Sequence, residues 1–152
     1  MIEKHGDMFT SDAPALGHGV NCVGVMGAGV AKQFREKYPH NFINYRGACQ
    51  TKVLKPGMVH VNKENGKFIL NMATQNMPGA DATYPRVFEA ALNAAQGAVA
   101  KGIDRVAIPE IASDIGGLKW EYVAVVLTAV EIIVNDNGGL LDKFQWEVWH
   151  YE

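Results

Sequence analysis

The stretch Gly24-Val25-Met26-Gly27-Ala28-Gly29-Val30-Ala31 decides how this chain is read, because its three glycines stand between an apolar run and the first turn of an amphipathic helix. The first amides of a helix lack intrahelical partners and carry the positive end of its dipole, and glycine lets a ligand come close to the main chain. The stretch therefore predicts an anion site, with a nucleotide or diphosphate as the first candidate. The same glycines would serve equally where a helix packs closely on a sheet, so the surrounding pattern has to decide.

Working outward, residues 16–25 are apolar and glycine-bearing, which suits a buried strand, and Val30, Phe34 and Tyr38 then recur at helical spacing until Pro39 interrupts. Residues 58–62 and 68–73 read as two antiparallel strands joined at Asn65-Gly66, a pair that favours the positive backbone angles of a tight hairpin turn. Over 84–101, the residues Val87, Ala91, Leu92, Ala95, Ala98 and Val99 mark one helical face, and Gly102 sits where that helix would end. A strand at 105–111, a glycine-bearing loop at 112–117, a helix over 118–134 closing at Asn137-Gly138-Gly139, and an aromatic strand at 145–151 complete the order. Strands alternating with helices around a central hairpin predict an α/β sandwich with a mixed sheet. Both glycine loops fall at carboxyl ends of strands, where such sheets bind ligands.

The 152 residues, 48% of them hydrophobic, suit one domain over 1–152 with no linker. Sixteen acidic against fourteen basic residues leave a formal charge of -2, which argues against general nucleic-acid or anionic-membrane binding while leaving a local basic groove open. Cys22 and Cys49 are too few and too far apart for a CxxC site or a disulfide framework, which fits a reducing compartment, with the cytoplasm as the default. The opening residues MIEKHGDMF have no apolar leader-like region, and the greasiest run, 122–134, contains Glu131 and falls short of the roughly 20 residues of a membrane span. A soluble, monomeric protein is the expectation, with no cofactor and no metal site.

Known nucleotide motifs do not fit well. Gly27-Ala28-Gly29-Val30-Ala31-Lys32 lacks the third glycine of a dinucleotide fingerprint, and Gly66-Lys67 is followed by Phe68 and preceded by Val61 where a phosphate loop needs a hydroxyl residue and a glycine. Neither GxSxG nor HExxH occurs.

Three separated motifs instead carry a resemblance that runs, in order, over nearly the whole chain. They are Gly6-Asp7-Met8-Phe9, then Asn21-Cys22-Val23-Gly24-Val25-Met26-Gly27-Ala28-Gly29-Val30-Ala31, then Ile108-Pro109-Glu110-Ile111 leading into Gly116-Gly117-Leu118-Lys119-Trp120. Together they resemble the macro domain, and within it the branch of terminal ADP-ribose protein glycohydrolases, DNA ADP-ribosyl glycohydrolase antitoxins and yeast-type ADP-ribose-1''-phosphate phosphatases.

The resemblance implies a three-layer α/β/α sandwich with an ADP-ribose pocket, so that the partner would be ADP-ribose or an ADP-ribosylated substrate. It gives Asp7, beside Met8, the adenine amino group, although a turn-capping carboxylate is the plain alternative for Asp7. It places the distal ribose against Asn21 and the loop Met26, Gly27, Ala28, Gly29 and Val30. The diphosphate would lie between that loop and Ser113, Asp114, Ile115, Gly116 and Gly117. Trp149 or Tyr151 would stack on adenine, or be core or edge aromatics; Trp120 reads as packing.

Catalysis is where the chain departs from these relatives. The lysine and aspartate of the glycohydrolases fall at Gln75 and Gly116, and glutamine neither forms a covalent imine nor carries a proton near neutrality. Asp114 stands in the second glycine loop at a position where relatives carry glycine. With Asn21 and His18 it is the candidate for positioning or activating a water at the distal ribose. Its alternative is a turn or helix cap. For His18 and Cys22 the plain reading is a satisfied core histidine and a small buried thiol. A non-catalytic reader of ADP-ribose is the rival function.

Overall fold

A computed structural model describes residues 1–136 and 143–151. Among these described residues, six strands form one mixed sheet in the order β1-β6-β5-β2-β4-β3, comprising β1 (Ile2–His5), β2 (Ala15–Val20), β3 (Val59–Glu64), β4 (Lys67–Ala73), β5 (Arg105–Ile108) and β6 (Gln145–His150). Only the β3–β4 pair is antiparallel; the other four pairings run parallel. Helices α1 (Gly29–Lys37) and α2 (Pro39–Gln50) cover one face, and α3 (Tyr84–Ala100) and α4 (Trp120–Asp136) cover the other. This is the three-layer α/β/α arrangement with a mixed sheet. No helix among the described residues is long and apolar enough to cross a membrane.

Each layer follows from its sequence. Ala90, Ala91, Ala94, Ala95 and Ala98 bring α3 close to the sheet, and their small side chains leave room for Phe144, Trp146 and Ile108. On the other face Leu16, Val20, Ile69 and Ala73 meet Phe34, Tyr45 and Met26. The hairpin turns where the sequence placed it, with Asn65 at φ 51° and Gly66 at φ 77°, and α3 ends at Gly102 with φ 75°.

Three expectations are corrected. The strand read over 16–25 stops at Val20, because the Asn21 side chain captures the next amides and turns the chain out of the ladder. Pro39 does not merely interrupt a helix; it opens α2, where a missing N–H costs nothing. The strand read over 105–111 ends at Ile108, since Pro109 has no amide to donate. The N-terminal residues, to which the sequence pattern assigns no element, form the edge strand β1 beside β6. The turn read at Asn137-Gly138-Gly139 lies outside the described residues.

The layers are pinned by a chain of buried amides. Asn71 on β4 donates to Asn41 Oδ1 of α2 at 2.8 Å and to the His60 carbonyl of β3 at 3.1 Å, and its Oδ1 accepts from Asn41 at 3.2 Å. Asn62 donates to Asn41 Oδ1 at 2.9 Å, and Glu64 accepts the Asn41 backbone amide at 2.7 Å. Removing one member strands the others away from water, which is costly. An Asn71→Leu variant should therefore lose about 3 kcal/mol of stability despite its added apolar surface, read from the urea midpoint.

Candidate functional site

A cleft of about 400 Å³ opens at the carboxyl ends of β2, β4 and β5. Its floor is His18 to Asn21 and Thr74 to Gln75, one wall is the start of α1, and the other is the loop after β5. Three parallel strands ending together, each followed by an outward turn, leave this space.

The first wall is built around Asn21. Its Oδ1 accepts the amides of Val23, Gly24 and Val25 at 3.1, 3.2 and 3.3 Å, and the Tyr45 hydroxyl at 3.0 Å. Its Nδ2 donates to the Val25 carbonyl at 2.9 Å. Gly24, at φ 87°, lies against Arg46 of α2, so that an added Cβ would be strained by its backbone angle and crowd the Arg46 side chain at 3.1 Å. The loop then delivers Ala28, extended and without a side-chain cap, as the residue before α1. No acidic residue occupies the first turn of α1, so its free amides and positive dipole end meet the cleft uncompensated.

The second wall folds on itself through its main chain. Leu118 donates to the Ala112 carbonyl at 3.0 Å, and Gly117 to that of Asp114 at 3.3 Å. A Cβ on Gly116 would sit 2.6 Å from the Ala112 carbonyl oxygen, and one on Gly117, at φ 85°, would sit 2.8 Å from Ala80 Cβ. Ile115 leans across the opening, its Cδ1 3.4 Å from where a Gly29 Cβ would lie. Asp114 is exposed in the wall, and its carboxylate has no hydrogen-bond or ion-pair partner among the described residues.

Gln75 braces the third side. Its amide donates to the carbonyls of Met77 and Gly79, at 2.6 and 2.8 Å, while Asp81 accepts the amides of Asn76 and Met77. Those two amides hold the Asp81 carboxyl below the usual range.

His18, at the base, is 1% exposed and stacks on Phe34 with ring centroids 3.8 Å apart. Its Nε2 lies 2.8 Å from Asn71 Oδ1. Because the Asn71 NH2 is already given to two carbonyls, the Asn71 oxygen faces the ring and Nε2 carries the proton. His18 Nδ1 is left a buried acceptor without a partner among the described residues, and the Thr74 hydroxyl is likewise buried and unpartnered. Burial pushes the His18 pKa down to about 4, so the ring is neutral through the physiological range.

A narrow groove runs on from the cleft, sharing Val30 and Pro109 with it, lined by Asp7, Met8, Phe9, Gln33, Trp149 and Tyr151. One Asp7 oxygen accepts the Phe9 amide at 3.0 Å and caps a 3-10 turn at Met8–Thr10.

Of the residues expected at the site, His18, Asn21, Gly27, Ala28, Gly29, Val30, Asp114, Ile115 and Gly116 share the cleft wall, and Asp7, Met8 and Trp149 share the groove. Met26 lies 1% exposed in the core, Ser113 turns its hydroxyl to the Glu110 carbonyl, and Gly117 supports the loop from behind. Sequence reading missed Thr74, Pro78, Gly79, Phe9 and Gln33. The apolar run of β4, ending at Thr74 beside a strand already assigned to the site, was the available signal for the first three. Trp120 packs edge-on against His150, as a packing residue does.

A family model described as Macro domain matches residues 18–127. The DNA ADP-ribosyl glycohydrolase of Mycobacterium tuberculosis is 33% identical over 122 residues, 78% of this chain and 35% of that protein. The ADP-ribose 1''-phosphate phosphatase of Neosartorya fischeri is 46% identical over 57 residues, 37% of this chain and 28% of that protein. The solved macrodomain of Thermus aquaticus DarG superposes with a TM-score of 0.81 at 26% identity, covering 99% of this chain and 97% of that one. The chain thus spans 35% and 28% of the length of these two curated relatives.

Two outcomes follow from the wall geometry. Gly116→Ala should cost about 1–3 kcal/mol, seen as a lowered melting temperature, because backbone rather than a flexible side chain blocks the new methyl. His18 is held neutral when folded and charges near 6.5 when unfolded, so its contribution is full above pH 6.5 and is lost as the pH falls toward 4. Urea midpoints taken between pH 7.5 and 5 should fall more steeply for wild type than for His18→Gln.

Proposed function

The chain belongs to the macro domain family, and on that premise we propose that it binds ADP-ribose in the cleft and groove and hydrolyses a bond carried by the distal ribose. The observation that carries this reading is the uncapped start of α1, facing a glycine-built second wall across the cleft. Among the described residues no Lys or Arg lines the cleft or the groove, so peptide dipoles would hold the diphosphate. The length of the combined site suits an elongated ligand: adenine between Asp7 and Trp149, phosphates at Val30, and the distal ribose beside Asn21 and Asp114.

The chemistry rests on Asp114. An exposed, unpartnered carboxylate at the cleft mouth can take a proton from a water whose oxygen then bonds to the anomeric carbon; the bond to the leaving group breaks, and that group takes up a proton from solvent while Asp114 returns its own to solvent. Asn21 shapes the wall rather than reacting, since its oxygen is filled by four donors. Neutral His18 offers its Nδ1 lone pair as an acceptor at the base. A terminal phosphate or an ADP-ribosyl adduct both fit this scheme, and the names of the two curated relatives span both.

One observation favours a non-catalytic reader. Gln75, where the resemblance places a catalytic lysine, spends both amide protons bracing its own loop. The test is calorimetric titration with ADP-ribose, then release assays on ADP-ribose-1''-phosphate and on ADP-ribosylated DNA and protein. Binding with turnover that falls about 100-fold or more in Asp114→Ala supports the hydrolase. Binding without turnover leaves the reader, and no binding overturns the proposal.

A further inference from the structure

Strand β6 sends alternate side chains to opposite faces, so Glu147 and Trp149 lie together on the α1–α2 side of the sheet. Glu147 is 1% exposed. Its Oε1 accepts the indole N–H of Trp149 at 2.7 Å and also the Ser11 hydroxyl. Its Oε2 pairs with Arg105 Nη1 at 2.8 Å, and that guanidinium reaches Asp12 at 2.8 Å. The relay therefore runs from a surface carboxylate, through β5 and β6, to the aromatic wall of the groove.

Burying a carboxylate in a sheet is costly unless every oxygen is matched, and an apolar residue of similar volume would serve packing at less cost. What the carboxylate adds is a fixed acceptor for the indole. With that N–H held, Trp149 rests over Gly6, its Cζ3 3.9 Å from where a Gly6 Cβ would lie, and stands as a flat wall beside Asp7, Met8 and Phe9. A ring held before the ligand arrives has little rotamer freedom left to lose on binding.

We propose that Glu147 is a positioning residue for the base end of the nucleotide ligand, acting through Trp149 by locking the indole as a preset stacking surface. This rests on the ADP-ribose reading above and deepens it. Glutamine is the informative replacement. It has one oxygen, which Arg105 claims, and it turns an NH2 toward the indole N–H, so the lock opens while the shape is kept.

The experiment compares wild type, Glu147→Gln, Trp149→Phe and the double variant, titrated with ADP-ribose and with ribose 5-phosphate, which has no base. Loss of one immobilised side chain corresponds to roughly a two- to tenfold weakening. Glu147→Gln should weaken ADP-ribose by that factor and leave ribose 5-phosphate unchanged. In the Trp149→Phe background, with no N–H to hold, the same substitution should add nothing. The Trp149 indole proton, followed by NMR, should exchange with solvent faster in Glu147→Gln. Equal weakening of both ligands, additive losses in the double variant, or unchanged exchange would each overturn the proposal. Should Glu147→Gln fail to fold, Trp149→Phe alone must still weaken ADP-ribose selectively, or the proposal fails. Wild type that binds no ADP-ribose overturns the family-based reading and this inference with it; wild type that binds while the cycle is additive overturns this inference alone.

Discussion

The oxygen of Asn21 accepts three successive backbone amides and a tyrosine hydroxyl, and the arrangement of the cleft depends on it. A strand that ends in a sheet leaves its next amides unpaired, and burial makes that costly. Gathering them onto one side chain turns the chain away from the ladder after Val20 and sets the direction from which α1 begins. The Tyr45 hydroxyl shares its one proton between that side-chain oxygen and the Asn21 carbonyl 2.7 Å away, and ties the same turn to α2. The turn is also sewn to the loop after β4, where Cys22 donates to the Asn76 carbonyl.

Beneath that turn, the buried polar chain from Glu64 through Asn41 and Asn71 to His18 joins an edge strand, a helix, a central strand and the base of the cleft. Such a network gives little net stability compared with apolar packing, but it tolerates one arrangement only, because each amide must present a particular end to its neighbour. The orientation of the His18 ring is thus set by α2 and β3, elements with no residue in the cleft wall. The same network explains why α2 is hard to read in the sequence. Asn41 occupies a buried position where an apolar residue would complete the helical stripe.

Much of the fold is legible because local and global preferences agree. The Asn65-Gly66 hairpin, the alanine face of α3 with its terminal Gly102, and the glycine loops at strand ends each carry one dominant signal. Edge strand β1 carries no comparable signal: Glu3, Lys4 and His5 are exposed, and the strand exists through its parallel pairing with β6. The site follows the same division. Glycines forced by close backbone approach, such as Gly116, announce themselves. Residues whose role lies in what their side chain holds do not; Asn21 reads as a ligand and catalytic position and Gln75 only as a lost lysine, yet both amides spend their bonds on the protein. Met26 and Ser113 share motifs with the walls, but Met26 is buried in the core and the Ser113 hydroxyl is spent on the Glu110 carbonyl of its own turn.

A cleft without a lysine or arginine in its walls, among the described residues, would meet a negatively charged ligand with peptide groups that cannot follow it if misplaced. A long cationic side chain would swing toward an anion wherever it lay and would welcome many of them. The amides at the start of α1 are fixed by the helix they begin, so they act as a ruler that rewards the spacing between charged groups and ignores their total. On the ADP-ribose reading, an inorganic anion could fill one position along those amides, whereas a diphosphate could fill two at once, and the difference would favour the longer ligand.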